Sequence, residues 1–92
     1  MIRVEAERAV VESGLTLMTA KALLAAGKAA VAQSATSFDL AKVEDVDSSG
    51  LATVFGWMRE AQAQGKTIRI VNPPKNLLSL ADVYGVGDLL PL

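Results

Sequence analysis

The hydrophobic pattern of the chain changes period several times, and each change marks an element. Ile2-Arg3-Val4-Glu5-Ala6 alternates apolar and polar positions, and Ala9-Val10-Val11-Glu12-Ser13 is β-branched ahead of Gly14. This predicts two opening strands with Glu7-Arg8 at their turn. Thr16 or Thr19 caps a first helix that runs to about Gln33, with Leu23, Leu24, Ala30 and Val31 on its buried side. Gly27 inside that helix costs about 1 kcal/mol against Ala.

Ser37 to Val43 reads as the next strand, and its lack of clean alternation points to burial on both faces, as in a parallel sheet. A second helix runs from about Ser49 to Gln64, with Leu51, Val54, Phe55 and Met58 at i, i+3, i+4 and i+7, and Gly65 stops it. Lys66 to Val71 forms a further strand, and Asn72-Pro73 supplies a cap followed by a proline at the first helical position. Leu77, Leu80, Ala81 and Tyr84 form the core stripe of a third helix that ends at Gly85. The order β-β-α-β-α-β-α predicts an α/β fold, a single domain over 1–92 with a mixed sheet and helices packed on it.

Composition narrows the classes of function. Hydrophobic residues are 51% of the 92 and charged residues 21%, the balance of a globular chain. The net charge is -1 and the nine Lys and Arg are scattered, so nothing steers toward nucleic acid. Cys and His are both absent, which removes thiol nucleophiles, disulfides, thiolate metal sites and the commonest general base. The start, Met1-Ile2-Arg3-Val4-Glu5, lacks the apolar run of a secretory signal, and no window approaches the roughly 20 apolar residues of a membrane span. These features predict a soluble cytoplasmic protein that is not an enzyme and inserts no segment into a membrane.

Two apparent motifs fail on inspection. Gly65-Lys66-Thr67 looks like the tail of a phosphate-binding loop, but Glu60 stands where that motif needs its first glycine. The triplet also follows a helix and opens a strand, the reverse of the required order. Asp39, Glu44, Asp45 and Asp47 are the one acidic concentration, yet one strand residue and three loop residues need not converge on a metal. Solvated loop charge and helix capping account for them, and no cofactor or metal is expected. Trp57 and Tyr84 fall within periodic helices and read as core.

The most informative stretch is Asp47-Ser48-Ser49-Gly50-Leu51, where the apolar run of the third strand gives way to the second helix. Asp and Ser accept hydrogen bonds from the unpaired N–H groups of a helix N-terminus. Two small hydroxyl residues and a glycine leave that end sterically open. An exposed Ser there can hold a phosphate or meet a partner surface; a plain helix cap with a close-packed glycine is the competing reading.

Phe38 through Leu51, with the Asp-Ser-Ser-Gly-Leu run at its end, resembles the strand, loop and helix-start signature of STAS domains. These modules are shared by anti-sigma-factor antagonists and the cytoplasmic tails of sulfate transporters. Gly65-Lys66, Ile68 to Asn72 and Leu77 to Val86 fit the last strand and helix of the family, and the resemblance runs from about Ala9 to Leu92. It implies a STAS-like sandwich. In the antagonists the first Ser after the Asp, here Ser48, is phosphorylated by a partner kinase. Leu80 to Val86 and the closing Asp88 to Leu92 narrow the resemblance to the STAS subunits of bacterial phospholipid-transport ABC complexes. There the hydroxyl residue contacts the ABC ATPase subunit, and through it the membrane permease. Ser48 stands where that subgroup usually has Thr, and Ser49 where it usually has Gly. Two functions therefore follow from the resemblance. One is an accessory subunit that docks on an ABC ATPase through Asp47, Ser48, Ser49, Gly50 and Leu51; the other is an antagonist switched at Ser48.

Overall fold

The computed structural model describes residues 1–92. The elements, in chain order, are β1 (Ile2–Glu5), β2 (Arg8–Val11), α1 (Ala20–Gln33), β3 (Ser37–Asp39), α2 (Ser48–Ala63), β4 (Arg69–Val71), α3 (Lys75–Val83) and a short 3₁₀ turn over Gly87–Leu89. The sheet order is β1-β2-β3-β4, with β1 antiparallel to β2 and the other neighbours parallel. This is the expected mixed α/β sheet, and the strands and helices follow along the chain in the expected order β-β-α-β-α-β-α.

The register sorts the sheet into two faces. Ile2 lies opposite Val11, Val4 opposite Ala9, Ala9 beside Phe38, and Phe38 beside Ile70. Since alternate residues share a face, these form one apolar surface. The opposite face carries the exposed Arg3, Glu5, Arg8 and Arg69. On the apolar face Phe38 stacks on Trp57 of α2, with ring centroids 4.3 Å apart and planes 12° from parallel. Both rings are fully buried, and the indole N–H donates to the Leu23 carbonyl of α1 at 2.9 Å. Trp57 thus joins sheet, α1 and α2, as the core reading of its position expected. The indole lies where a side chain on Gly27 would be, so the glycine inside α1 is where the two helices close on each other.

Several boundaries differ from the sequence expectation. The hairpin turn is Ala6-Glu7, with Ala6 at φ 56°, and Arg8 belongs to β2 opposite Glu5. Strand β3 ends at Asp39 and not at Val43, because the Asp39 carboxylate accepts the Ala41 N–H at 3.0 Å and turns the chain. Leu40 and Val43 remain buried beyond the strand, and Leu40 still donates its N–H to the Val71 carbonyl of β4 at 3.0 Å. Strand β4 starts at Arg69 and not at Lys66, whose backbone N–H donates to the Ala61 carbonyl at 2.8 Å at the end of α2 while its ammonium donates to the Val31 carbonyl at 2.7 Å.

Thr19 does stand at the N-cap position of α1, but its hydroxyl donates to the Gly14 carbonyl at 2.6 Å and makes no cap bond. Asn72, expected to cap α3, sits at φ 53° and donates its amide to Asp39 at 3.1 Å; Pro74 occupies the cap position. Tyr84, expected in the core stripe of α3, is 58% exposed, because the helix is over at Val83 and Tyr84 lies at its C-cap. Gly65 and Gly85, both at φ 70°, end α2 and α3 as expected. No helix is long and apolar enough to cross a membrane.

Candidate functional site: the α2 N-terminus and its groove

Asp47 is the N-cap of α2, and its two carboxylate oxygens have separate tasks. Oδ1 accepts the Gly50 N–H at 3.0 Å, closing the first turn of the helix. Oδ2 accepts the Leu17 N–H at 2.9 Å and so ties the loop before α1 to the same helix end. The Leu17 and Gly50 N–H groups, in that order, hold the carboxyl below its ordinary value of 3.8 against a smaller opposing effect of desolvation. Next to it, Leu15 and Val46 form a parallel bridge, with the Leu15 N–H donating to Asp45 at 2.8 Å and the Asp47 N–H donating to Leu15 at 3.1 Å.

The five residues singled out by sequence occupy this junction in graded exposure. Ser48 is the first residue of α2 and is exposed; since Asp47 supplies the cap bond, the Ser48 hydroxyl is not the cap. Ser49 is half-buried and lines a groove between α1 and α2 with Lys21, Thr53 and Arg59. Gly50 is buried beneath Leu15, and Leu51 is 5% exposed. Of the five, Ser48 offers the most accessible side chain, while Asp47 and Gly50 build the position that presents it.

Beside Ser48 runs a shallow groove of about 370 Å³ lined by Ser48, Leu51, Ala52, Phe55, Tyr84 and Val86. Five of the six are hydrophobic, and the groove is open to solvent along the seam between α2 and the end of α3. Further large apolar side chains are exposed: Leu17, whose N–H bonds to Asp47, is 72% exposed, Met18 92%, and Val83, next to Tyr84, 79%. The sequence reading did not single out Leu17, Met18, Tyr84 or Val86 for a surface. A signal was present in Leu17-Met18, two large apolar residues placed just ahead of a helix cap.

The acidic residues do not converge. Asp39 lies on the polar face of the sheet, where it accepts from Arg8 at 3.2 Å and from Asn72. Burial pushes its carboxyl up, but the Ala41 N–H, the Asn72 amide and the Arg8 guanidinium together outweigh this and leave it lowered from 3.8. Asp47 is engaged at the helix end, and no three acidic side chains come together to hold a metal.

A four-stranded mixed sheet with helices on one face and an aspartate-capped helix end open at the surface is the architecture of a STAS domain. The chain belongs to that family: the family model described as "Mlab, STAS domain" matches residues 3–91. Over 51 residues it is 43% identical to the intermembrane phospholipid transport system binding protein MlaB of Haemophilus influenzae. That stretch is 55% of this chain and spans about half, 49%, of the relative.

Among solved structures, it is similar to the anti-sigma factor antagonist SpoIIAA in its unphosphorylated form. The TM-score is 0.70 at 23% identity, covering 98% of this chain and 84% of that one. It is also similar to the Bacillus cell fate determinant SpoIIAA in the phosphorylated form, with a TM-score of 0.66 at 23% identity, covering 98% and 86%. These likenesses establish the fold.

Proposed function

We propose that this chain is a non-catalytic accessory subunit of a phospholipid-transporting ABC complex. It binds and stabilises the cytoplasmic ATPase subunit (MlaF-like), and through it the membrane permease, in a system that maintains outer-membrane lipid asymmetry. The observation that carries the reading is the exposed Ser48 beside an apolar groove at a rigidly capped helix end. A helix end held by Asp47 on two sides is preorganised, so little conformational freedom is lost when a partner seats against it. The likeness to MlaB over half its length supports the choice of system. In this reading the chain lies in the cytoplasm, held at the inner membrane by its partners.

Co-expression with an MlaF-like ABC ATPase from the same organism is the test. Wild-type chain and Ser48→Ala are expected to fold, and wild type to co-purify with the ATPase. Ser48→Ala should bind more weakly and Ser48→Glu should not co-purify, because an unpaired charge buried at a contact costs several kcal/mol. Full co-purification of Ser48→Glu would remove the helix end from the interface. The other reading, an antagonist switched by phosphorylation of Ser48, predicts a chain that bears phosphate on Ser48 in cells and ignores the ATPase. An unmodified chain bound to the ATPase goes against it.

A further inference from the structure

The two edges of the sheet are finished differently. At β4 the Ile70 N–H donates to the Pro91 carbonyl at 2.8 Å, so the segment after α3 lies along that edge. At β1 no segment of residues 1–92 does the same. On its inner side β1 pairs Ile2 to Glu5 with Val11 to Arg8, and the Glu12 N–H donates to the Met1 carbonyl at 2.7 Å. Bonded and non-bonded pairs alternate in an antiparallel ladder. Met1, Arg3 and Glu5 therefore bond inward to β2, while Ile2 and Val4 direct their N–H and C=O groups outward.

We infer that this edge pairs with β1 of a second copy of the chain, antiparallel and centred on Val4. With Val4 opposite Val4, the outward groups of the two valines exchange both hydrogen bonds. Arg3 of each copy then stands opposite Glu5 of the other, at the non-bonded positions where side chains come closest. The smallest slip that keeps outward groups facing each other is two residues. In one direction it sets Arg3 opposite Arg3, in the other Glu5 opposite Glu5, and like charges directly opposite are destabilising. Charges on an edge strand ordinarily deter pairing; these two match their own reversed copy in a single register. Within its own chain Arg3 bridges Glu5 at 3.2 Å and Glu12 at 3.4 Å, so in the pair it keeps Glu12 and gains the second copy's Glu5.

The flank of α1 beside this edge agrees with the same occupant. A two-fold axis through the Val4 pair and normal to the sheet keeps the helices of both copies on one side and sets the two α1 helices next to each other. Gly27 of α1 meets Trp57, Leu24 meets Gly56, and Lys21 and Lys28 line grooves shared with α2. At 3.6 residues per turn, Ala22, Ala26, Ala29 and Gln33 form the flank turned away from α2, on the side of β1. That flank carries no charge, and its small side chains permit close approach of a second helix. An extended segment of an unrelated protein would find the same backbone groups but not the reciprocal charges. The α2 N-terminus takes no part in this contact, so the inference goes beyond the ATPase reading and fails separately from it.

Sedimentation equilibrium on the full chain tests it. Wild type is expected to dimerise reversibly. Arg3→Glu and Glu5→Arg should each weaken the dimer about tenfold or more, since each turns two opposite-charge pairs into like-charge pairs. An equal mixture of these two variants restores opposite charges across the pair and should associate more tightly than either alone. Val4→Pro removes an outward N–H without breaking the ladder to β2 and is expected to be monomeric. Thermal melts of all three variants establish that they fold, and should Val4→Pro not fold, the two charge variants and their mixture still decide. A wild-type chain that is monomeric at about 1 mM, a mixture no tighter than its components, or a folded Val4→Pro that dimerises like wild type overturns the inference.

Discussion

Gly50 and Leu15 are in such close approach that a side chain on Gly50 would overlap the Leu15 carbonyl oxygen. The carbonyl cannot retreat freely, because it accepts the Asp47 N–H at 3.1 Å and Leu15 is itself fully buried. Glycine in the first turn of a helix is intrinsically unfavourable, and here it is needed for the passage of another backbone. Gly50→Ala is expected to lower stability by about 1–3 kcal/mol, and Gly50→Val by more, through overpacking. Chemical denaturation measures this directly. A Gly50→Ala chain that unfolds at the wild-type midpoint would mean that the crossing of Leu15 over α2 relaxes without cost.

A second glycine gives a test with opposed signs. Helix propensity alone predicts that Gly27→Ala stabilises α1 by about 1 kcal/mol. Against this, the new methyl would enter the volume of the Trp57 indole, which is fully buried, stacked on Phe38 and bonded to the Leu23 carbonyl. Overpacking costs about 1–3 kcal/mol, so net destabilisation is expected, with a change in tryptophan emission as the indole is displaced. A more stable Gly27→Ala would show that the helices separate easily.

The legibility of this fold in its sequence varies with the range of the interactions. The element order, the helix stops at Gly65 and Gly85 and the α2 periodicity are local signals, and the structure matches them. The misplaced boundaries trace to side-chain bonds that periodicity does not report: Asp39 ends β3 early by accepting the Ala41 N–H two residues on, and Asn72 leaves the α3 cap to bond the same carboxylate across the fold. Gly27 reads as a propensity defect until Trp57 is placed against it, 30 positions on in sequence. At the candidate site the Asp-Ser-Ser-Gly-Leu run was visible, whereas the groove was not. Its walls come from α2 and from Tyr84 and Val86 after α3, and the periodicity placed Tyr84 on the wrong side of the boundary between core and surface.

Acid should destabilise the domain through two named carboxylates. The pKa values of Asp39 and Asp47 are both lowered from 3.8 in the folded chain. A lowered folded-state pKa means that the native state favours the charged form, so the stabilisation is complete above the unfolded value and is lost as pH falls through the folded one. Stability is therefore expected to be insensitive to these groups above about pH 5 and to decline below about pH 4. Asp39→Asn and Asp47→Asn should each reduce the steepness of that decline. Denaturant midpoints measured across this range check it, and an unchanged slope in both variants would assign the acid sensitivity elsewhere.

Ser48 should contribute little to folding, in contrast to its neighbours. Its side chain is exposed and the cap bond comes from Asp47, so truncation removes neither packing nor a helix cap. Ser48→Ala is expected to stay within about 0.5 kcal/mol of wild type, the usual range for a surface substitution. Ser48→Glu adds negative charge at the positive end of the α2 dipole, a gain of about 0.3–1 kcal/mol at low salt; Asp47 close by offsets part of it. Both variants should therefore melt near the wild-type temperature, with Ser48→Glu no lower than Ser48→Ala. That outcome makes a loss of co-purification by Ser48→Glu a statement about contact and not about folding. If Ser48→Ala instead melts far below wild type, the hydroxyl is part of the structural cap, and any binding loss at this position must be re-examined as local unfolding of the first turn of α2.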